Sequence, residues 1–337
     1  TMWGFVTGVQ TCALPIWSEL SALGFNLFLG PTLDVAETTS METAAYSGAD
    51  LYGADPYWVG EIGRAYIAGL HAGSLNRLSV IARHFPGLGS TDRPPDLEVA
   101  TVRKSLEQLK QIELAPFFAV TSAEDPNAQA DGVMVSHIRF QGFQGNIRAT
   151  TRPISFDATA LSQLLAVEPL ASWRSAGGLT VSDSLGSKAV RSFFDPTGQS
   201  FDANTIAGSA FIAGNDMLYL NNFTSSGETK PYETILQTLD YFSGKYEEDP
   251  AFAQRVDQAV LRILNVKLQL YGEFTLETVI PDRAGLDQIG STSDVAFNIA
   301  REAVTLISPS QDYLNSLLPS PPGTYEYMVI FSDQRTN

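Results

Sequence analysis

The sequence predicts an α/β protein whose main domain is a parallel (β/α)8, TIM-barrel-like fold. Three observations carry that prediction. Short, continuous apolar runs alternate with amphipathic helical segments along residues 18–285. Apolar runs without internal alternation suit strands buried on both faces, as parallel sheets require. His84, His137 and Asp183 each fall just past the C-terminal end of a different run, where barrel enzymes gather their working side chains. An open doubly wound sheet would instead show a glycine-rich phosphate turn after its first strand, and the sequence has no such fingerprint.

Each element has a local reason. Phe25-Asn26-Leu27-Phe28-Leu29 is an apolar run stopped by Gly30-Pro31, hence a buried strand. Residues 56–72 place Val59, Ile62, Ala65, Tyr66 and Leu70 at helical spacing and stop at Gly73. Leu78-Ser79-Val80-Ile81-Ala82 is the next strand, followed by a helix expected over 98–114 with Lys104 and Lys110 outward. Gly132-Val133-Met134-Val135 is a strand ending at Ser136-His137, and residues 157–175 are expected to be helical. Leu179-Thr180-Val181-Ser182 is a strand ending at Asp183, followed by a helix over 203–213, a strand over 216–220 and a helix over 252–271. His71 is expected at an exposed helix position. Tyr57, Trp58 and Tyr66 are expected to pack rather than to form a sugar platform. Glu247-Glu248-Asp249 reads as a solvated acidic turn ended by Pro250.

The 337 residues allow one large domain and part of another, and 44% hydrophobic content supports an extensive core. The net charge of −16 argues against nucleic acid and anionic membrane surfaces as partners, and leaves neutral sugars compatible. No apolar run is long enough to span a membrane. A single cysteine excludes an internal disulfide framework and a cysteine-based metal site. Residues 6–16, Val-Thr-Gly-Val-Gln-Thr-Cys-Ala-Leu-Pro-Ile, read as a sequencing-adapter oligonucleotide translated in one frame. Residues 1–17 are therefore expected to be foreign to the protein, with the native N-terminus and any signal peptide outside the chain. The barrel is expected over 18–285, N-terminally truncated with its first strand and helix missing. Residues 286–337 read as a linker and the start of a second α/β domain, including a strand at Tyr327-Met328-Val329-Ile330-Phe331.

Three segments resemble bacterial β-N-acetylglucosaminidases of glycoside hydrolase family 3. Ala82-Arg83-His84-Phe85-Pro86-Gly87-Leu88-Gly89 is similar to the family's Lys-His-Phe-Pro-Gly-His-Gly. Val181-Ser182-Asp183-Ser184-Leu185 resembles its Ser-Asp-Asp-Leu nucleophile strand, and Ala213-Gly214-Asn215-Asp216-Met217 its Ala-Gly-x-Asp-Met segment. The resemblance runs from about Ser18 to Gly272 and implies a retaining β-glycosidase acting on a carbohydrate substrate without a metal or other cofactor. It places Asp183 as nucleophile, with Arg83, His84, His137 and Asp34 as substrate-binding candidates. Retention requires one carboxylate to attack the anomeric carbon and a second group, roughly 5–5.5 Å away, to protonate the leaving oxygen. Asp183 also reads as a helix N-cap.

The chain departs from the family in the second half of that pair. The family's acid/base is a His in the loop after the first motif, and here Ser90-Thr91-Asp92-Arg93-Pro94-Pro95-Asp96 contains none. Asp92 is the candidate acid/base within the loop. Two alternatives stand beside it: a β-glucosidase whose acid/base lies in a following domain, and a carbohydrate-binding homologue without catalysis. Leu88 replaces the motif's second His, and Asp50 stands where the family's Arg grips substrate. Turnover is expected from an intact parent protein and little or none from the chain as it stands, because a missing barrel strand exposes its neighbours' edges.

Overall fold

A computed structural model describes residues 2–36, 51–228, 230–281, 283–290 and 292–303. Asp50 and the strand expected at 327–331 lie outside the described residues. The chain divides into a unit spanning Thr1–Thr292 and a second from Ser293 onward, of which the helix Ser293–Ala303 is described.

Four parallel strands form the sheet at the centre of the first unit: β1 (Leu27–Thr32), β2 (Ser79–Phe85), β4 (Gly132–Val135) and β6 (Leu179–Ser182), side by side in chain order. Each new strand adds to the same edge, and helices fill every crossover: α2 (Pro56–Gly73), then α3 (Leu106–Gln111) with α4 (Ala115–Thr121), then α5 (Ala158–Leu165) with α6 (Leu170–Ser175). Stepwise growth in one direction is barrel winding; a doubly wound sheet would reverse about its first strand. The strands are buried almost throughout, and Val80, Ala82, Phe85, Val133 and Val135 join Val59, Ile67, Leu70, Phe117 and Leu161 in one core.

The expected strand at 216–220 is reduced to a bridge between Met217 and Val181, extended by bonds from Ser182 N–H to the Met217 carbonyl and from Leu185 N–H to that of Tyr219. Around it stand α7 (Lys188–Phe194), α8 (Ala203–Ala213), α9 (Pro231–Glu248) and α10 (Pro250–Tyr271). Among the described residues no strand pairs with the outer edge of β1.

Several expectations need correction. The helix expected over 98–114 starts only at Leu106, where Ser105 and Gln108 form a capping box. Before it, β3 (Thr101–Val102) pairs with β5 (Arg139–Phe140), because β-branched Val99, Thr101 and Val102 fit an extended ribbon better than a helix. Lys104 turns inward to pair with the fully buried Glu113. The 157–175 helix is broken by Pro169, which cannot continue the α5 ladder. The acidic turn at 247–249 closes α9, a helix not expected from the sequence, and Asp249 caps α10 by accepting from Ala251 and Phe252 N–H. His71 is buried, not exposed, with its ring bonded to the Asn127 carbonyl (2.7 Å) and Asp131 (3.2 Å). Apart from these corrections, residues 2–22 form helix α1, with Ala13 and Trp17 buried. Gly69 and Gly73 of α2 meet the backbone of Gln10 and Leu14 so closely that no Cβ would fit.

Candidate active site

The strand ends converge at one end of the sheet. β1 runs into Leu33-Asp34, β2 ends on Arg83-His84-Phe85, β4 leads to Ser136-His137 and β6 to Asp183. Asp183 N–H donates to the Val135 carbonyl (3.0 Å), which prolongs the ladder and fixes the backbone under its carboxylate. The N-cap reading of Asp183 does not hold: Ser187 caps α7, accepting from Val190 N–H, and among the described residues Asp183 Oδ1 accepts the adjacent Ser184 N–H (2.7 Å). The Asp183 residue is half-buried.

His84 is organised by the strand beside it. Its Nδ1–H donates to Asp34 Oδ2 at 2.8 Å, while Asp34 Oδ1 accepts Leu88 N–H at 2.6 Å. Asp34 is 1% exposed with both oxygens engaged, one orienting the His84 ring and the other the turn after it. His84 Nε2 has no protein partner among the described residues, and 23% of the side chain is exposed, leaving that nitrogen for a ligand. The turn needs glycine twice. Gly87 has φ +125° and a Cβ there would meet Glu113, while at Gly89 a Cβ would strike the Val35 carbonyl.

Burial works against the His84 imidazolium, but the charge and hydrogen bond of Asp34, with the charge of Asp183, outweigh it and hold the pKa above 6.5. The pair therefore contributes stability that is complete below pH 6.5 and is lost as pH rises through the folded value. Replacing Asp34 by Asn leaves burial dominant. NMR titration should then show His84 moving from above 6.5 to below it; an unmoved midpoint would show that Asp34 does not set the ring's charge.

His137 is 5% exposed, its Nε2–H donates to the Ser184 carbonyl (3.0 Å), and its Nδ1 accepts from Ser155 Oγ (2.8 Å). Burial is the largest influence and keeps the ring neutral, against the opposing charge of Asp183. Both nitrogens are committed, and through Ser184 His137 braces the turn that carries Asp183. Arg83 is half-buried, donates from Nε to Thr32 Oγ1 (3.1 Å), and lines a cleft of about 300 Å³ with Thr32, Leu51, Tyr52 and Tyr66. A similar cleft around His71 and Asp131 lies at the opposite ends of the strands, away from Asp183.

The loop 90–99 separates its two aspartates. Asp92 Oδ1 accepts Thr101 N–H (2.8 Å) and Arg93 Nε–H (3.2 Å), and Asp92 Oδ2 lies 3.4 Å from Arg103. Two guanidinium partners and a backbone donor make it the ionic tether of the loop. Asp96, which sequence reasoning passed over, is the other candidate. Its carbonyl accepts Ala189 N–H (3.2 Å), pinning the loop onto the start of α7 just after Asp183. The residue as a whole is exposed, yet its carboxyl lies partly desolvated among protein groups. Burial first, then the charge of Asp183, raise its pKa, while His84 and Arg83 pull the other way. Asp96 thus shares one electrostatic field with Asp183, His84 and Arg83. Four residues apart in a polar loop, the two aspartates carry no sequence signal that separates them.

Among the described residues no three His, Cys, Asp or Glu side chains are grouped to hold a metal ion, and no helix is long and apolar enough to cross a membrane. Residues 5–266 match the model of the glycosyl hydrolase family 3 N-terminal domain. A beta-hexosaminidase of Xylella fastidiosa (strain M23) is 28% identical over 175 residues, 52% of this chain and 45% of that protein. The chain thus spans about half the length of the curated relatives it matches. A glycoside hydrolase family 3 β-N-acetylglucosaminidase from Paenibacillus sp. str. FPU-7 superposes with a TM-score of 0.63 at 22% identity, covering 85% of this chain and 49% of that one. A beta-glucoside phosphorylase superposes with a TM-score of 0.69 at 20% identity, covering 92% and 52%.

Proposed function

Because the chain belongs to glycoside hydrolase family 3, we propose that the protein carrying this barrel is a retaining β-glycosidase acting on terminal β-linked sugars, N-acetylglucosamine foremost, with Asp183 as nucleophile and Asp96 as acid/base. The observation that supports this reading is Asp183 on a fixed ladder at a strand end, with a loop pinned to the start of α7 whose Asp96 is raised in pKa by burial and by the charge of Asp183. A carboxyl whose pKa is raised by burial and a neighbouring negative charge can serve as the proton donor of such a site.

In the first step Asp183 attacks the anomeric carbon as the glycosidic C–O bond breaks, and protonated Asp96 gives its proton to the departing oxygen. In the second, Asp96 takes a proton from water, the water oxygen attacks the same carbon, and the bond to Asp183 breaks, returning both groups to their starting forms. His84 Nε2–H and Arg83 donate to sugar hydroxyls, and Asp34 holds the His84 ring for that contact. The name of the Xylella fastidiosa relative supports the hexosaminide choice. A β-glucosidase with its acid/base in a following domain is the competing reading, and Asp96 is the observation that disfavours it.

Asp96→Asn should lower kcat/KM by about 10²–10⁴-fold on glycosides with poor leaving groups, the usual worth of general acid catalysis. A 2,4-dinitrophenyl glycoside, whose leaving group needs no proton, should be cleaved in its first step at near wild-type rate. Asp92→Asn should leave that leaving-group dependence unchanged. If Asp96→Asn slows good and poor leaving groups equally, or neither, Asp96 is not the acid/base.

A further inference from the structure

Glu113 lies in the turn between α3 and α4 and is fully buried. Taking a carboxylate out of water is costly unless a cation and hydrogen-bond donors meet it. Two groups meet this one, and both come from the loop that overlies the site. Ser90 donates its hydroxyl to Glu113 Oε1 at 2.5 Å, and Lys104 Nζ, on a side chain 11% exposed, donates to the same oxygen. Oε2 is buried and has no hydrogen-bond partner among the described residues. One oxygen therefore takes both bonds and brings Ser90 and Lys104 to a single point.

Ser90 and Lys104 are the two ends of the segment that carries Asp92 and Asp96. Just inside them Thr91 and Val102 form an antiparallel bridge, and Asp92 N–H donates to the Thr101 carbonyl (3.1 Å). The segment thus leaves and returns as a narrow ribbon. Asp96 stands beyond that bridge, where its carbonyl accepts Ala189 N–H (3.2 Å). Glu113 holds the ribbon at its base and α7 holds it near Asp96. Glu113 also backs the Arg83-His84 turn, since a Cβ at Gly87 would lie 2.8 Å from Glu113 Cβ. Loop and turn are both registered against one buried residue.

We infer that Glu113 is a positioning residue for glycoside cleavage: by tying Ser90 to Lys104 beneath the Arg83-His84 turn, it sets the angle at which the ribbon presents Asp96 to Asp183. This rests on the glycosidase reading above. An apolar pair of similar volume would fill the same space and hold the fold, because a buried ion pair often adds little stability beyond such a pair. It would not supply direction. Hydrogen bonds from supporting residues hold a working side chain within a fraction of an ångström, where apolar contact lets it drift.

The test uses the intact protein that carries this barrel, with Glu113→Met and Lys104→Met combined so that no lone charge is left buried. Amide hydrogen exchange at Ala189 should quicken by about tenfold or more in the double variant, while the Asp183 N–H on the strand ladder keeps its protection. In turnover, kcat/KM on poor leaving groups should fall by about tenfold or more, and the first step with a 2,4-dinitrophenyl glycoside should keep its rate. Combined with Asp96→Asn, the double variant should cause no further loss, because both changes remove one contribution. Ser90→Ala, which leaves the ion pair in place, should give the same pattern at smaller size. Unchanged exchange at Ala189, equal slowing of good and poor leaving groups, or a loss that multiplies with that of Asp96→Asn would each overturn the role. Faster exchange at Ala189 in a protein that cleaves no glycoside would instead keep the tie and refute the glycosidase reading.

Discussion

Asp183→Ala, made in the protein that carries this barrel, is expected to lower turnover of an aryl β-N-acetylglucosaminide by roughly 10³–10⁶-fold, the range seen when a member of a covalent catalytic unit is removed. The size of the effect follows from the chemistry. Without Asp183 no covalent intermediate forms, and the single-step alternative needs a water on the face that the carboxylate occupied. The backbone bond from Asp183 N–H to Val135 and the His137 brace on Ser184 do not involve the carboxylate, so the variant should fold as the parent does. A fluorinated sugar that slows the second step should leave a glycosyl adduct on the peptide containing Asp183 in the parent and none in the variant. Retained turnover, or an adduct on another residue, would remove Asp183 from the nucleophile's role.

Asp216→Asn is expected to destabilise the fold by about 3–5 kcal/mol, as breaking a buried ion pair from one side does. Asp216 resembles an acid of the family's motif, but it sits at the start of its segment, at the opposite end of the sheet from Asp183. Its carboxylate accepts from Arg174 through two nitrogens, one of them at 3.0 Å, and lies 3.1 Å from Arg255 and 3.3 Å from Arg262. Thr180 adds its N–H and hydroxyl, both at 3.1 Å. Burial pushes the pKa up, but the hydrogen bond and charge of Arg174 and the charge of Arg255 outweigh it and hold it below 3.8. A depressed carboxyl contributes stability above its ordinary pKa and loses it as pH falls through the folded value, so the Asp216 contribution is complete above pH 3.8 and is lost below it. The Asn variant leaves three arginines facing one neutral amide. Thermal unfolding should show a drop of at least ~6 °C at neutral pH, from about 2 °C per kcal/mol for a domain of this size. Asp157 caps α5 by accepting Ala160 N–H (3.0 Å), and the cap variant Asp157→Asn, by comparison, should cost under ~1 kcal/mol. A drop no larger than the cap variant's would mean the arginine cluster does not depend on Asp216.

How much of this was legible beforehand differs by residue. β4, β6 and α8 were readable to the residue, and α2 to within one, because burial on both faces leaves uninterrupted apolar runs and because helical spacing from Val59 to Leu70 stops at Gly73. The segment 98–102 was misread because apolar residues at helical spacing also fit a short ribbon, and the pairing partner, Arg139–Phe140, is almost forty residues away. His71 was misread because its two partners come from the loop at 127–131. The same limit applies in the site. Arg83-His84 and Asp183 stood out by motif, while the use of Asp34 and His137 as braces depends on atoms in other loops.

By itself, then, the sequence determined the order of parallel strands, the convergence of Arg83, His84 and Asp183 at their ends, and the membership in a sugar-cleaving family that those motifs suggested. Periodicity and stop signals are local properties, and a strand end is a local address. Only the tertiary structure decided which aspartate of the 90–99 loop shares the field of Asp183, that Asp34 serves His84, and that Ser90 and Lys104 meet on one buried carboxylate. Those are matters of distance between residues far apart in the chain. Desolvation and charge coupling depend on that distance alone, so the residue type could not disclose them.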